Sequence, residues 1–363
     1  MATLTLIGEP FPDTDAAANA AAARDLARAV AVTAPRGCSG RLLVARDRPA
    51  PQFDTALAQV EAIPLKAAVL PRVWRNGTTA RPLDGEFVHA TTPLVPLRTR
   101  KEEDGSQTSV LVPHALAWQA PELMGPQTAR RYRAFVKRAV RLADALLAGT
   151  HATATALQER YGAGLPVRVL PLAPPAEYLP RSDAEARRAS LGLPARYLAT
   201  NAQVGPHGRL ELLFSALAAD ASLPPLVVLS TEAAREQVLA AAPLQLRERL
   251  HVVTSPELAD TGAVLSGAAL LVMPQAFIGA GYEVLGALAC GVPVVHLGCA
   301  AVAELAFDAG VGVDAPEELG GALARLAGDP GELDRLRVHA LDRARSFSWE
   351  GAAWQLWELH ANL

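Results

Sequence analysis

Cysteine is nearly absent from this chain. Only Cys38, Cys290 and Cys299 occur among 363 residues, and their spacing matches no zinc or iron–sulfur motif. Three scattered thiols also exclude a disulfide framework and suit a reducing compartment. Cys290 reads as a small buried residue rather than a reactive one. An excess of either charge is missing too: the formal net charge is −3, so nothing global draws nucleic acid and any polyanion contact has to be local. The opening M-A-T-L-T-L-I-G-E-P lacks the basic region and longer apolar core of a secretion signal and reads as a first buried strand. Two uncharged runs, 261–282 and 284–303, raise the question of membrane spans. Pro274, Gly279, Gly291 and Pro293 punctuate them, so buried parallel strands fit better. No repeat or low-complexity tail intrudes.

What is present is enough apolar material, half of all residues, for more than one core, and the length favours two domains. Residues 4–8 read as a strand and the alanine-rich 15–32 as a helix, with Asp13, Thr14 or Asp15 available as its cap. A second strand follows at 41–45. Residues 128–148 form a basic amphipathic stretch, with Tyr132, Phe135, Val136, Ala139 and Ala143 on one face and Arg130, Arg131, Arg133, Lys137, Arg138 and Arg141 elsewhere. Its tail enters a strand. After a further strand at 167–171 and the proline-rich P-L-A-P-P-A-E-Y-L-P, strands at 197–200, 226–230, 250–254, 270–273 and 294–297 alternate with helices, the pattern of a second parallel sheet.

The densest signal is G-A-G-Y-E-V-L-G-A-L-A-C-G-V-P, residues 279–293. Gly279 and Gly281, with Ala280 between them, mark a turn that opens a helix near Tyr282, where free backbone N–H groups would meet an anion. Gly291 is suited to end the helix in the left-handed region, and Pro293 to prevent its continuation. Glu304, then D-A-G-V-G-V-D-A-P, then F-S-W-E follow. This succession resembles the C-terminal half of the family 4 glycosyltransferases. The resemblance implies an α/β GT-B architecture of two Rossmann-like domains whose parallel sheets face a cleft: residues 1–172 on the acceptor side, a linker at 173–180, a nucleotide-sugar domain at 181–345, and a last helix, 346–363, crossing back to pack through Trp354 and Trp357.

Laid on the family pattern, the two glutamates of its E-G-F-G-L-P-x-L-E segment fall on Ile278 and Gly286. The family's diphosphate-binding Arg and Lys fall on Gln203 and Gly208, with His207 and Arg209 flanking the second position. Glu283 lies one turn before Gly286 and is a substitute ribose or sugar contact, or simply an acid well placed at a helix N-terminus. Gly286 inside a helix implies either close approach of a ligand or backbone, or a decayed site. On the acceptor side, P-F-P-D-T-D-A, with Asp13 and Thr14, replaces a paired-glycine loop. E-F-V-H-A-T-T-P-L at 86–94 resembles the strand carrying His89, with Thr91 at a second histidine position. V-L-V-P-H-A-L at 110–116 resembles the strand whose histidine approaches the reacting sugar, here His114. The charged link R-T-R-K-E-E-D-G-S-Q between these two strands replaces a helix and reads as a hairpin or loop.

The resemblance therefore implies retaining transfer of a hexosyl group from a nucleotide-sugar to a glycan, lipid or small-molecule acceptor, with no metal and no cofactor. The expected location is cytoplasmic; the basic helix 128–148 reads either as a solvated face or as a contact with anionic lipid at the inner membrane face. A silent GT-B scaffold that binds a partner is the rival reading, and a transferase with an unusual donor a third.

Overall fold

Strands apolar on both faces build two all-parallel sheets in the computed structural model, which describes residues 2–51, 53, 58–79, 86–99 and 105–363. The chain divides into one unit of Met1–Ala173 with Ser348–Leu363 and another of Pro174–Phe347. The first holds β1 (Ala2–Ile7), β2 (Cys38–Ala45), β3 (Ala58–Ile63), β4 (Phe87–Ala90), β5 (Gln107–Val112), β6 (Ala145–Ala148) and β7 (Val167–Val169) in the order β3-β2-β1-β4-β5-β6-β7. The second holds β8 (Leu198–Thr200), β9 (Leu226–Leu229), β10 (Leu250–Val253), β11 (Leu270–Met273), β12 (Val294–His296) and β13 (Gly310–Gly312) in the order β10-β9-β8-β11-β12-β13. All four residues of β11 are buried, as a central parallel strand covered on both faces requires.

Both sheets reverse their strand order beside their first strand, at β1/β4 and at β8/β11. Loops leaving the carboxyl ends of strands on either side of such a point diverge and open a crevice. Asp13, Thr14 and Thr91 fall on those loops in the first unit, and Gln203, His207, Gly208, Arg209 and Gly279–Gly281 in the second; His89 lies in β4 itself, and His114 follows β5.

Two expectations change. β4 and β5 pair in parallel, Phe87 with Gln107, which rules out a hairpin between them, since a tight turn joins only antiparallel strands. Residues 100–104 of that link lie outside the described residues. The basic helix runs Pro126–Leu142, shorter than 128–148, because Gly125 at φ 80° and Pro126 at its first turn start it and Ala143 is already extended. Its buried face is Ala129, Tyr132, Phe135, Val136 and Ala139.

The helix Trp349–Ala361 packs on the helix Ala16–Val32, and the Trp357 indole donates to the Val30 carbonyl at 3.1 Å. Trp354 instead is 58% exposed. His360, on the same terminal helix, reaches under the first sheet: its Nε2 lies 2.9 Å from Ser109 Oγ, which lies 2.9 Å from His89 Nδ1.

Candidate functional site

In the second unit the loop after β8 folds tightly on itself before the helix Leu210–Ala219. Gly205 sits at φ 122°, its N–H donating to both Glu211 carboxylate oxygens at 3.0 and 3.2 Å. The Leu210 N–H returns to the Gln203 carbonyl, so a β-carbon at Gly208 would collide with that same carbonyl. Gly208 is thus required by this conformation of the loop. Gln203 is exposed, whereas His207 and Arg209 are half-buried. Arg209 occupies the left-handed region at φ 56°, a costly conformation for a side-chain-bearing residue, at the helix N-cap. Its guanidinium reaches toward the Leu297 carbonyl beyond β12, at 3.4 Å.

The loop after β11 locks onto this one. The Ala276 N–H donates to the His207 carbonyl at 2.9 Å, and the His207 and Phe277 rings stand 5.6 Å apart. Gln275, 5% exposed, donates to the Asn201 side chain at 2.7 Å. Gly281, at φ 80°, is the N-cap of the helix Tyr282–Ala289. Gly291 ends the following turn at φ 68°. Gly279 is half-buried and Ala280 buried in the bend before Gly281. The turn is close-packed: a β-carbon on Gly281 would lie 2.5 Å from Leu305 and 3.2 Å from Ile278. Ile278, where the resemblance leads one to expect a carboxylate, covers part of the glycine turn with an apolar chain.

Gly286 has a packing reason. Its missing β-carbon would stand 3.0 Å from both Leu265 and Tyr178, so side chains of this unit, and no ligand, approach it there. Glu283 lies half-buried in the first turn of the same helix, where an acid complements the helix dipole. Cys290 donates weakly to the Tyr178 carbonyl, and burial pushes its thiol up to about 12, which leaves no reactive thiolate near neutrality.

In the first unit the structure joins two candidates that lie far apart in sequence. His114, just beyond β5, directs Nε2 to within 3.5 Å of Asp13 Oδ2, both side chains being 2% exposed. Asp13 Oδ1 accepts the Asp15 N–H at 3.1 Å, which orients the carboxylate. The imidazole stacks on Tyr132 at 4.8 Å, and the Tyr132 hydroxyl donates to the His114 carbonyl. Burial first, and the Asp13 charge second, hold the Tyr132 phenol protonated. His114 Nδ1 and Asp13 Oδ2 are both buried and have no hydrogen-bond partner among the described residues. Thr14 is exposed and bonds only weakly to Asp15.

His89 and Thr91, expected on the acceptor side, are engaged within the fold instead. His89 is 0% exposed, and burial holds its imidazole near pKa 3; Thr91 donates to the Ile7 carbonyl at 3.0 Å. The basic helix is likewise partly engaged: Arg133 donates to the Ala117 carbonyl and Arg138 to that of Leu97. Among the described residues no cluster of His, Cys, Asp and Glu could hold a metal ion, and no helix is long and apolar enough to cross a membrane.

No family model matches the sequence, and no curated protein matches it either. Solved structures do match along the whole chain. Sucrose-phosphate synthase from Thermosynechococcus elongatus superposes with TM-score 0.73 at 18% identity, over 100% of this chain and 99% of its own. HepE of Anabaena in complex with UDP gives TM-score 0.64 at 17% identity, over 100% of both. WaaG, a glycosyltransferase involved in lipopolysaccharide biosynthesis, gives 0.61 at 16%, over 97% and 98%. The chain has the GT-B glycosyltransferase fold.

Proposed function

We propose that this protein is a retaining glycosyltransferase that moves a hexosyl group from a nucleotide-sugar to an acceptor, without a metal ion. One observation carries the reading: at the switch point of the second sheet, the loops after β8 and β11 are tied by the Ala276–His207 bond and bring Arg209 and the start of the helix Tyr282–Ala289 together. Open α/β sheets bind nucleotides at such points, and a helix start with a nearby guanidinium favours diphosphate. The whole-length likeness to HepE in complex with UDP-glucose supports the donor class. As the bond from sugar to diphosphate breaks, Arg209 and His207 meet the charge appearing on the leaving oxygen, where a preformed donor is most effective. His114, 3.5 Å from the Asp13 carboxylate, supplies a proton acceptor or polar contact on the acceptor side.

The rival, a silent scaffold that binds a partner, has its own support in the apolar cover of Ile278 on the glycine turn and in the packed β-face of Gly286. Calorimetric titration of the full chain with nucleoside diphosphates and nucleotide-sugars decides between them. Saturable heat with one base, lost in Arg209→Ala, is expected; no heat with any nucleotide at millimolar concentration hands the case to the scaffold.

A further inference from the structure

A cavity of about 860 Å3 lies wholly within the first unit. Pro10, Pro12, Leu94 and Phe135 give it apolar walls, and four arginines converge on it: Arg48, Arg72, Arg75 and Arg131. They come from separate elements. Arg48 follows β2, Arg72 lies in the short helix Leu70–Trp74 with Arg75 at its end, and Arg131 belongs to the helix Pro126–Leu142. The three-residue spacing of Arg72 and Arg75 puts both on one helix face.

Two carboxylates also line the space, Glu9 and Asp47, and both are engaged. Glu9, 2% exposed, accepts the Ala45 N–H with one oxygen and stands 3.7 Å from Arg48 Nε with the other. Asp47 accepts the Ala67 N–H at 2.8 Å, and that bond holds its carboxyl below the usual range. Arg72, Arg75 and Arg131 have no carboxylate partner among the described residues. Four guanidiniums against two carboxylates leave an excess of two positive charges.

We propose that this cavity binds the phosphate monoester of a small phosphorylated acceptor. A monoester is close to doubly charged at neutral pH and matches that excess, whereas a single carboxylate would leave a guanidinium unanswered. Guanidinium forks fit phosphate oxygens in pairs. The volume exceeds what inorganic phosphate fills and falls within the range of small-molecule sites, and the proline, leucine and phenylalanine walls suit an uncharged body. Pro12, which lines the cavity, immediately precedes Asp13 in the chain, although neither Asp13 nor His114 lines it. Calling the ligand an acceptor rests on the transferase reading; the binding itself does not.

The experiment is calorimetry on the full chain with glucose 6-phosphate, glucose and inorganic phosphate, and sedimentation with phosphatidylcholine vesicles with and without phosphatidic acid. Glucose 6-phosphate should bind at least about tenfold more tightly than glucose or phosphate, and more weakly at pH 5.5 than at 7.5 as the monoester protonates. Arg72→Gln with Arg75→Gln, both exposed, should weaken it at least about tenfold, as should Arg131→Gln, while Arg130→Gln, off the cavity, should not. Equal affinity for glucose and its phosphate, equal loss in Arg130→Gln, or binding only to phosphatidic acid vesicles would overturn the proposal. Sugar-phosphate binding without any nucleotide binding would keep this site and remove the transferase; nucleotide binding alone would do the reverse.

Discussion

In the first unit the chain gathers charge: a buried Asp13–His114 pair and a separate cavity lined by four arginines. Around the switch point of the second sheet it gathers glycine and backbone bonds instead, with Arg209 and His207 as the basic side chains on the loop after β8 and apolar Ile278 and Leu305 against the Gly281 turn. The same topology thus carries two kinds of loop construction. Where loops are pinned by main-chain hydrogen bonds, small residues are structural necessities. Where several helices and strand ends converge, long ionic side chains reach a common space.

The contrast breaks most sharply at His114. If the first unit supplies the polar chemistry, His114→Ala and Asp13→Asn should each lower turnover by on the order of 10²–10⁴-fold, measured as kcat/KM, with nucleotide affinity by calorimetry unchanged. Loss of nucleotide binding in either variant would merge what is separated here. Next in size, Trp357→Ala should cost about 3–5 kcal/mol in denaturant unfolding, since it empties a buried site and orphans the Val30 carbonyl. Trp354→Ala, on the same helix but exposed, should stay within about 0.5 kcal/mol.

The glycines of the second unit sharpen the comparison from the other side. Placing a carboxylate at this position with Gly286→Glu should destabilise the fold by about 1–3 kcal/mol, because Leu265 and Tyr178 already occupy that direction, and should not tighten nucleotide binding. A gain in affinity without loss of stability would mean that the position faces ligand. The smallest effect is on pH dependence. Burial holds His89 and His360 near pKa 3 and 4, below the ordinary 6.5. The unfolded chain therefore binds protons first, so stability is full above about pH 6.5 and falls as pH drops through 6.5 toward 4. The slope approaches about 1.4 kcal/mol per pH unit for each histidine. Replacing Ser109, which bridges them, with alanine should alter that slope in chemical unfolding between pH 7 and 5.

The periodic parts of this fold were legible in sequence, since period and punctuation are local. The helix start at Tyr282, the left-handed Gly281 and Gly291, and the buried strands of the second sheet follow from residues adjacent in the chain. β3 and β13 escaped notice for physical reasons: one is the edge strand A-Q-V-E-A-I, with polar residues at alternate positions, and the other only G-V-G. The parallel pairing of β4 with β5 was hidden because the described residues of their crossover, 91–99 and 105–106, hold no helix to announce it. The Asp13–His114 contact spans most of the first unit, and the arginine cavity draws on stretches near residues 10, 48, 72 and 131. No local pattern reports such convergence. Gly208 and Gly286 looked like deletions of function when aligned by motif, while their surroundings make them packing residues.

The central claim, sugar transfer from a nucleotide donor, is tested most directly by incubating the full chain with a pool of nucleotide-hexoses and glucose 6-phosphate and weighing the products by mass spectrometry. The account predicts a sugar phosphate heavier by one hexosyl unit together with an equal amount of free nucleoside diphosphate, both lost in His114→Ala. Unchanged nucleotide-sugars, with this and every other acceptor supplied, would contradict it.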